Sequence, residues 1–283
     1  MITKKEIEKL LTDEVVVKEY PNSGQKKVFL VQNINGYKII KILKHGDERV
    51  LREIEIVTQN NIPNVPQIYD VKEFTDSAGE NYNYIVEQYI EGETLNDKLK
   101  FGKLDIAQGV KLLKTLLNIA VVLQEISTVH RDIKPDNIIC SSSGDFYLID
   151  FGIARQLDRS SLTLTVALVG PHTPGYGAPE LFQYNKKNID IRSDLFSIGV
   201  VLFEALTGQH PFLTGEEMNL NEIWYRTKTV FPKDYLIEGD TNKQLISFIQ
   251  TLMQRHTTRR PPDAIKALNW FHAVIPTIDL GGL

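Results

Sequence analysis

The residues best suited to chemistry are three oxygen-bearing side chains that follow predicted buried elements. Asp132 and Asn137 come just after an apolar helix, and Asp150 ends an apolar strand, Phe146 to Ile149. Hard divalent cations such as Mg²⁺ are usually held by one or two carboxylates together with the phosphates of a substrate. Lys134 places a cation beside the Asp132 carboxylate. This combination suits phosphoryl transfer, in which positioning and charge neutralisation supply nearly all of the catalysis.

These residues belong to separate motifs, and the order of the motifs along the chain is informative. His130-Arg-Asp with Asn137 downstream, then Asp150-Phe-Gly, and then Ala178-Pro-Glu resemble the signature set of the eukaryotic-like (Hanks-type) serine/threonine protein kinases. The order disfavours the alternative that Asp132 lies in an ordinary solvated loop. The resemblance extends over essentially the whole chain and is to single-domain, bacterial-type members of the family.

The resemblance implies an α+β, two-lobed protein-kinase fold that occupies residues 1–283. A small, strand-rich N-lobe with one key helix would cover residues 1–90, and a larger, helical C-lobe would cover residues 91–283. The hinge would lie near residues 87–92.

Local patterns agree with that division. Strand signals run through the first third of the chain, and Asn35-Gly36 is typical of a hairpin turn. Apolar spacing predicts a helix over Glu48 to Asn60. A buried helix, apolar nearly all round, is predicted over Ile106 to Ile126. A second apolar helix is predicted over Ile198 to Leu206, ended by Gly208.

The resemblance also implies an activity, which is ATP-dependent and Mg²⁺-assisted transfer of the γ-phosphate to serine or threonine hydroxyls of proteins. Mn²⁺ could replace Mg²⁺. Asp132 would be the catalytic base, and Lys134 is the residue that serine/threonine members carry beside it. Asn137 and Asp150 would bind the metal. Thr173, in a segment that resembles the substrate-docking loop, would bridge Asp132 and Lys134.

A lysine and a glutamate are the expected catalytic partners from the N-lobe. Lys38-Ile-Ile-Lys41 matches a family strand, which makes Lys41 the ligand of the α- and β-phosphates. Its helix partner would be Glu53, which borders an apolar stripe and can point inward, whereas Glu55 should face water. Taken alone, Lys41 could equally be an exposed lysine.

The expected phosphate-binding loop is poor in glycine, because Gly24 alone remains near the three glycine positions of the family pattern. Without its placement before the Lys41 strand, this segment would be interpreted as a plain turn. Backbone N–H groups can still face phosphate there. Besides Lys41, the nucleotide-binding residues implied by the resemblance are Ser23, Gly24, Val28, Gln88, Ile90 and Ile139.

A carboxylate is expected at an unusual place. The alignment with the family hinge puts Glu87 at the gatekeeper position, which is normally apolar or threonine. A buried carboxylate is costly unless it is paired. Glu87 is therefore expected to be held by Lys41 or to reach solvent, and it could compete with Glu53 for Lys41.

Three further residues are expected to be structural. Glu180 should pair with Arg260, and Asp194 should bind the backbone of the catalytic loop.

Control is expected through phosphorylation of Thr163 or Thr165, because an arginine before the catalytic aspartate, here Arg131, marks family members whose activation segment is ordered by phosphate.

Net charge, the length of apolar stretches and the cysteine count limit the partners and the compartment that we expect for this protein. The formal charge of −4 argues against nucleic acid or an anionic membrane as the main partner. The most apolar stretch, Ser197 to Leu206, is shorter than the roughly 20 residues that a membrane span needs. One cysteine makes no internal disulfide, so the sequence favours a cytoplasmic protein. The expected partners are protein substrates, with self-association for trans-autophosphorylation a further expectation.

Two alternatives stay open at this point. A pseudokinase, which would bind rather than catalyse, is favoured by the glycine-poor loop and by Glu87. A small-molecule phosphotransferase would share the Asp…Asn…Asp site, but such enzymes lack a segment that ends in Ala-Pro-Glu.

Overall fold

The structure is a computed structural model that describes residues 7–8, 11, 13–21, 26–44, 48–60, 62–151, 155–156, 174–182, 189–232 and 234–281. Its contacts divide the chain into two compact units. The first comprises residues 1–61 and 65–91, and the second comprises residues 62–64 and 92–283. Strands dominate the first unit and helices the second, which confirms the predicted α+β class.

The first unit is an antiparallel sheet with one helix. Its strands are β1 (Val15–Glu19), β2 (Lys26–Asn33), β3 (Gly36–Lys44), β4 (Ile68–Thr75) and β5 (Asn81–Gln88), in the order β1-β2-β3-β5-β4. Helix α1 (Glu48–Gln59) lies between β3 and β4 in the chain. The hairpin turn expected at Asn35-Gly36 joins β2 to β3, and Gly36 has the positive φ, 116°, that such turns favour.

The two faces of this sheet bury different side chains, because neighbouring residues of a strand point to opposite sides. One face holds an apolar cluster that includes Phe29, Ile40 and Val86, and residues from before β1, Ile7 and Leu11, pack against it. The other face carries a smaller apolar cluster, Leu43 and Ile85, against which Ile54 of α1 and Ile68 pack. The sequence pattern did not indicate that residues before β1 would cover a face of the sheet.

The second unit begins with short elements that lead to the catalytic motifs. These are β6 (Gly92–Thr94), α2 (Leu95–Leu99), α3 (Ile106–Glu125), β7 (Thr128–Val129), β8 (Ile138–Ser141), β9 (Phe146–Leu148) and β10 (Arg155–Gln156). Helices α4 (Ile191–Thr207), α5 (Leu220–Thr229), α6 (Gln244–Leu252) and α7 (Ala264–Val274) follow. Strands β6, β8 and β9 form a sheet, and β7 pairs with β10.

Helix α4 is the centre of this unit and packs against α3, α6 and α7. It begins at Ile191, earlier than the predicted Ile198, because Asp190 caps its N-terminus and the polar residues Ser193 and Asp194 are helical and buried. It ends as expected at Gly208, which adopts the left-handed conformation with φ 73°. An apolar run therefore marked only the second half of the helix.

Helix α3 differs from its prediction in burial. Leu112, Leu116 and Leu123 are among its buried residues, but Lys111 and Lys114 are exposed, so it is not buried all round. By length and composition alone it could cross a membrane, with 20 residues and a mean hydropathy of 1.6. The expectation that Ser197 to Leu206 is the most apolar stretch did not take this longer helix into account. The core helix of a soluble protein passes the same test, so this finding is weak support for a span.

Candidate active site

The catalytic loop follows β7 and is anchored by α4. The carboxylate of Asp194, which is fully buried, accepts hydrogen bonds from the backbone N–H groups of His130 at 2.7 Å and Arg131 at 2.8 Å. Burial raises the pKa of Asp194 to about 6, while both N–H donors oppose the rise by stabilising the carboxylate. The structure thus contains the backbone anchor expected of Asp194.

One residue of the catalytic loop and one of the Asp150-Phe motif have strained backbone conformations. Arg131 has a φ of 72° and Asp150 a φ of 69°, in the left-handed region that non-glycine residues rarely adopt. Such residues cost about 1–3 kcal/mol each and cluster at functional sites. The Asp194 bonds offset this cost at Arg131, and they direct the chain into Asp132.

Asp132 lies in a compact group of polar side chains. Its Oδ2 is 3.0 Å from the Lys134 ammonium and accepts a hydrogen bond from Asn137 Nδ2 at 2.9 Å. The same Nδ2 donates to the Asp132 carbonyl at 2.9 Å, within the 3₁₀ turn Pro135–Asn137. The cation expected beside the carboxylate is therefore present, and the carboxylate is held in a fixed orientation.

The chemistry of Asn137 and Asp150 fits a hard cation. Because Asn137 donates twice through Nδ2, its oxygen Oδ1 is the atom that it can offer to a metal. The backbone N–H of Ile149 donates to the Asn137 carbonyl at 2.8 Å, which joins the segment before Asp150 to the catalytic loop. Within the described ranges, no group of three or more His, Cys, Asp or Glu side chains is arranged to hold a metal alone.

Phe151 is buried and packs edge-on against His130, with 4.6 Å between the ring centroids. The catalytic loop and the Asp150-Phe motif are thus packed together inside the second unit. Ile139 of β8 is half-buried and lies between Thr94 of β6 and Tyr147 of β9 in the register. Its expected contact with adenine stays a prediction.

The first unit places Lys41 beside Glu87. Lys41 Nζ is 2.7 Å from Glu87 Oε1, and each residue is only 6% exposed. Glu87 is held by Lys41, which was one of the two arrangements expected of it. Glu53 belongs to α1, but its side chain lies outside the described part of the structure. Glu55, expected to face water, is half-buried.

The predicted nucleotide residues of this unit are only partly described. Val28 is opposite Lys41 in the β2–β3 register, on the same face of the sheet. The backbone N–H of Gln88 donates to the Gln67 carbonyl at 2.8 Å, so Gln88 would meet adenine through its carbonyl. Ile90 is half-buried. Ser23 and Gly24 lie outside the described residues, as do Thr163, Thr165 and Thr173.

The ion pair expected between Glu180 and Arg260 is present and bidentate. Arg260 donates to Glu180 through Nη1 at 2.6 Å and through Nη2 at 3.0 Å. Ser193 donates its hydroxyl to Glu180 at 2.8 Å, and Arg260 also donates to the Arg192 and Gln254 carbonyls. The pair fastens the Ala178-Pro-Glu motif to the start of α4.

A second, half-buried group of side chains supports the same motif, and the sequence did not indicate it. The Tyr176 hydroxyl donates to Glu204 of α4 at 2.6 Å, and burial raises the pKa of both groups. The His210 ring packs edge-on against Tyr176, and its Nδ1 accepts from the backbone N–H groups of Phe212 and Leu213. Burial lowers the pKa of His210 to about 4, so the ring is neutral near pH 7 and can accept both bonds.

Comparison of the amino-acid sequence with known proteins shows which family it matches. A model described as the protein kinase domain matches residues 15–271. A probable serine/threonine-protein kinase PknB of Bifidobacterium longum is 40% identical over 173 residues, which are 59% of this chain and 25% of that protein. The corresponding PknB of Lactococcus lactis is 32% identical over 219 residues, 73% of this chain and 34% of that protein.

The serine/threonine-protein kinase PknB of Mycobacterium leprae is 36% identical over 167 residues, 58% of this chain and 26% of that protein. This chain spans about a quarter to a third of the length of these relatives. Since the kinase model matches most of its residues and the catalytic loop has the geometry described above, the chain belongs to the protein kinase family.

Proposed function

We propose that this chain is an ATP-dependent serine/threonine protein kinase that uses Mg²⁺. The observation that carries the proposal is the Asp132 carboxylate, which is bonded to Lys134 and Asn137 on a loop that Asp194 anchors. The family implies ATP and a divalent metal. The names of the bacterial relatives support serine and threonine as the acceptors.

The roles of the side chains follow from their chemistry. Asp132 orients the acceptor hydroxyl and takes its proton as the hydroxyl oxygen bonds to the γ-phosphorus and the bond to the β-phosphate oxygen breaks. Lys134, beside Asp132, compensates negative charge on the transferred group. Asn137 Oδ1 and the Asp150 carboxylate would hold Mg²⁺, which supplies charge neutralisation at the phosphates.

A test needs only the purified chain, ATP labelled at the γ-phosphate, and a mixture of serine- and threonine-containing peptides. We expect Mg²⁺-dependent label on the peptides and on the chain itself. A folded chain that binds ATP but transfers no phosphate would instead be a pseudokinase. The observation that favours this second candidate is the carboxylate of Glu87 beside Lys41, at a position where the family pattern has an apolar residue or threonine.

Replacement of Asp150 by alanine is expected to weaken Mg²⁺-ATP binding and activity together, because the metal loses a carboxylate ligand. Titration of thermal stability with Mg²⁺-ATP measures this, and the wild-type rise in Tm should largely disappear. ATP without Mg²⁺ is the control, since its smaller shift should be similar in both proteins. An unchanged Mg²⁺-ATP shift in the variant would contradict the metal-ligand role.

We further propose that the chain phosphorylates itself on Thr163 or Thr165. A phosphate there adds a charge of about −1.5 to −2, which an arginine such as Arg131 can bind. We expect phosphate on the corresponding peptide from the wild type and none from Asp132→Asn protein, by mass spectrometry. The double variant Thr163→Ala, Thr165→Ala should lose most of its kinase activity toward other proteins. A fully active enzyme with an unmodified peptide would exclude this mode of control.

A further inference from the structure

The buried ion pair of the first unit assigns a role to Glu87. Lys41 and Glu87 are almost completely removed from solvent, and their charged atoms are 2.7 Å apart. Buried charges are costly unless they are paired with good geometry. The apolar side chains of Leu43 and Ile85 share this face of the sheet. The pair is therefore an integral part of the sheet rather than a chance surface contact.

The strand register fixes the pair in place. Lys41 is opposite Ile85, and Ile39 is opposite Glu87, so the two charged residues are diagonal neighbours on the same face of β3 and β5. The ladder between these strands is continuous from Lys38↔Gln88 to Lys44↔Tyr82. On the reverse face, Ile40, Ile42 and Val86 are buried in the larger apolar cluster. The backbones that carry the two groups are consequently held on both faces.

We propose that Glu87 is the positioning residue for Lys41, and that it sets the lysine's orientation toward nucleotide phosphates more strongly than Glu53 does. This inference deepens the proposed kinase function and rests on it. Glu53 lies on α1, whereas Glu87 lies on the strand next to Lys41 and is held by the ladder itself. A carboxylate on the adjacent strand can hold the lysine whatever the position of the helix.

The chemistry allows Glu87 and a nucleotide to share Lys41. An ammonium group has three N–H donors, so one can bond Glu87 while others bond phosphate oxygens. Loss of the Glu87 charge would remove the carboxylate that lies 2.7 Å from the buried ammonium and weaken the hold on its orientation. Binding of phosphates should then weaken, whereas binding of the adenine and ribose groups should not.

Isosteric variants distinguish the effect of Glu87 on nucleotide binding from that of Glu53. Dissociation constants for ATP and for adenosine would be measured by calorimetry with Glu87→Gln, with Glu53→Gln and with a control, Glu73→Gln, which removes an exposed charge from the same sheet. Adenosine has no phosphates, so the ratio of the two constants reports the Lys41 interaction. We expect the ATP preference to fall about tenfold or more in Glu87→Gln, the size expected for loss of one hydrogen bond between the lysine and a charged phosphate, and by less in Glu53→Gln. Glu73→Gln should match the wild type.

The relative size of the losses in Glu87→Gln and Glu53→Gln decides whether the proposal holds. An equal or larger loss in Glu53→Gln, or tighter ATP binding by Glu87→Gln, would overturn it and mark Glu87 as a competitor for Lys41. If Glu87→Gln does not fold, Glu87→Asp and Glu53→Asp keep both charges and should show the same order. A wild type that binds ATP over adenosine but transfers no phosphate would refute the kinase function alone, since the ranking is read from binding.

Discussion

The Asp132→Asn variant is expected to lose phosphoryl transfer by about 10²-fold or more, the range for a general base. ATP binding should remain nearly intact, because the carboxylate is proposed to contact the acceptor hydroxyl rather than the nucleotide. The amide can still accept from Asn137 and from Lys134, so the loop should keep its fold. The measurement is kcat for a peptide substrate together with the dissociation constant of Mg²⁺-ATP.

Asp145→Asn is the matched control for this variant. Asp145 also pairs with a lysine, Lys111, at 2.8 Å, but it lies in the turn between β8 and β9 and is partly exposed. Its replacement should leave kcat within about twofold, since exposed ion pairs contribute little. If Asp132→Asn keeps the wild-type kcat, then Asp132 is not the catalytic base.

The catalytic loop could be predicted from the sequence because its chemistry is local. Asp132, Lys134 and Asn137 are close in the chain, so their contacts follow from a single turn. The helix near Glu48 and the hairpin at Gly36 could be predicted for the same reason, since spacing and turn chemistry act over a few residues.

Contacts between residues that are far apart in the chain could be predicted only where the family resemblance implied them. Ser193 and Arg260 both bind Glu180, but nothing in their local sequence indicates that they meet. The support of Tyr176 by Glu204 and His210 was missed because each contact joins residues far apart in the chain. The start of α4 was also predicted too late. The prediction followed apolar residues, whereas the first turns of the helix contain buried polar residues such as Asp194.

Removal of one partner from the Glu180–Arg260 pair is expected to have the largest effect on stability. The Arg260 side chain is fully buried and that of Glu180 nearly so, at 7% exposure. Breaking a buried pair costs about 3–5 kcal/mol, because the remaining charge stays buried without its partner. For a unit of this size, that loss corresponds to a fall in Tm of roughly 10 °C.

Arg260→Met and Glu180→Gln are the variants for this measurement, and Arg259→Met is the control, because the adjacent arginine is exposed. Arg260→Met should cost the most, since it also removes the donors to the carbonyls of Arg192 and Gln254. The double variant should be less destabilised than the sum of the singles, because no charge is then left unpaired. Additive losses, or an Arg260→Met variant as stable as Arg259→Met, would show that the pair does not hold the motif to α4. Coupled losses would show that the end of the activation segment is fixed by charge to Arg260, which also donates to the Arg192 carbonyl in the helix whose Asp194 anchors the catalytic loop.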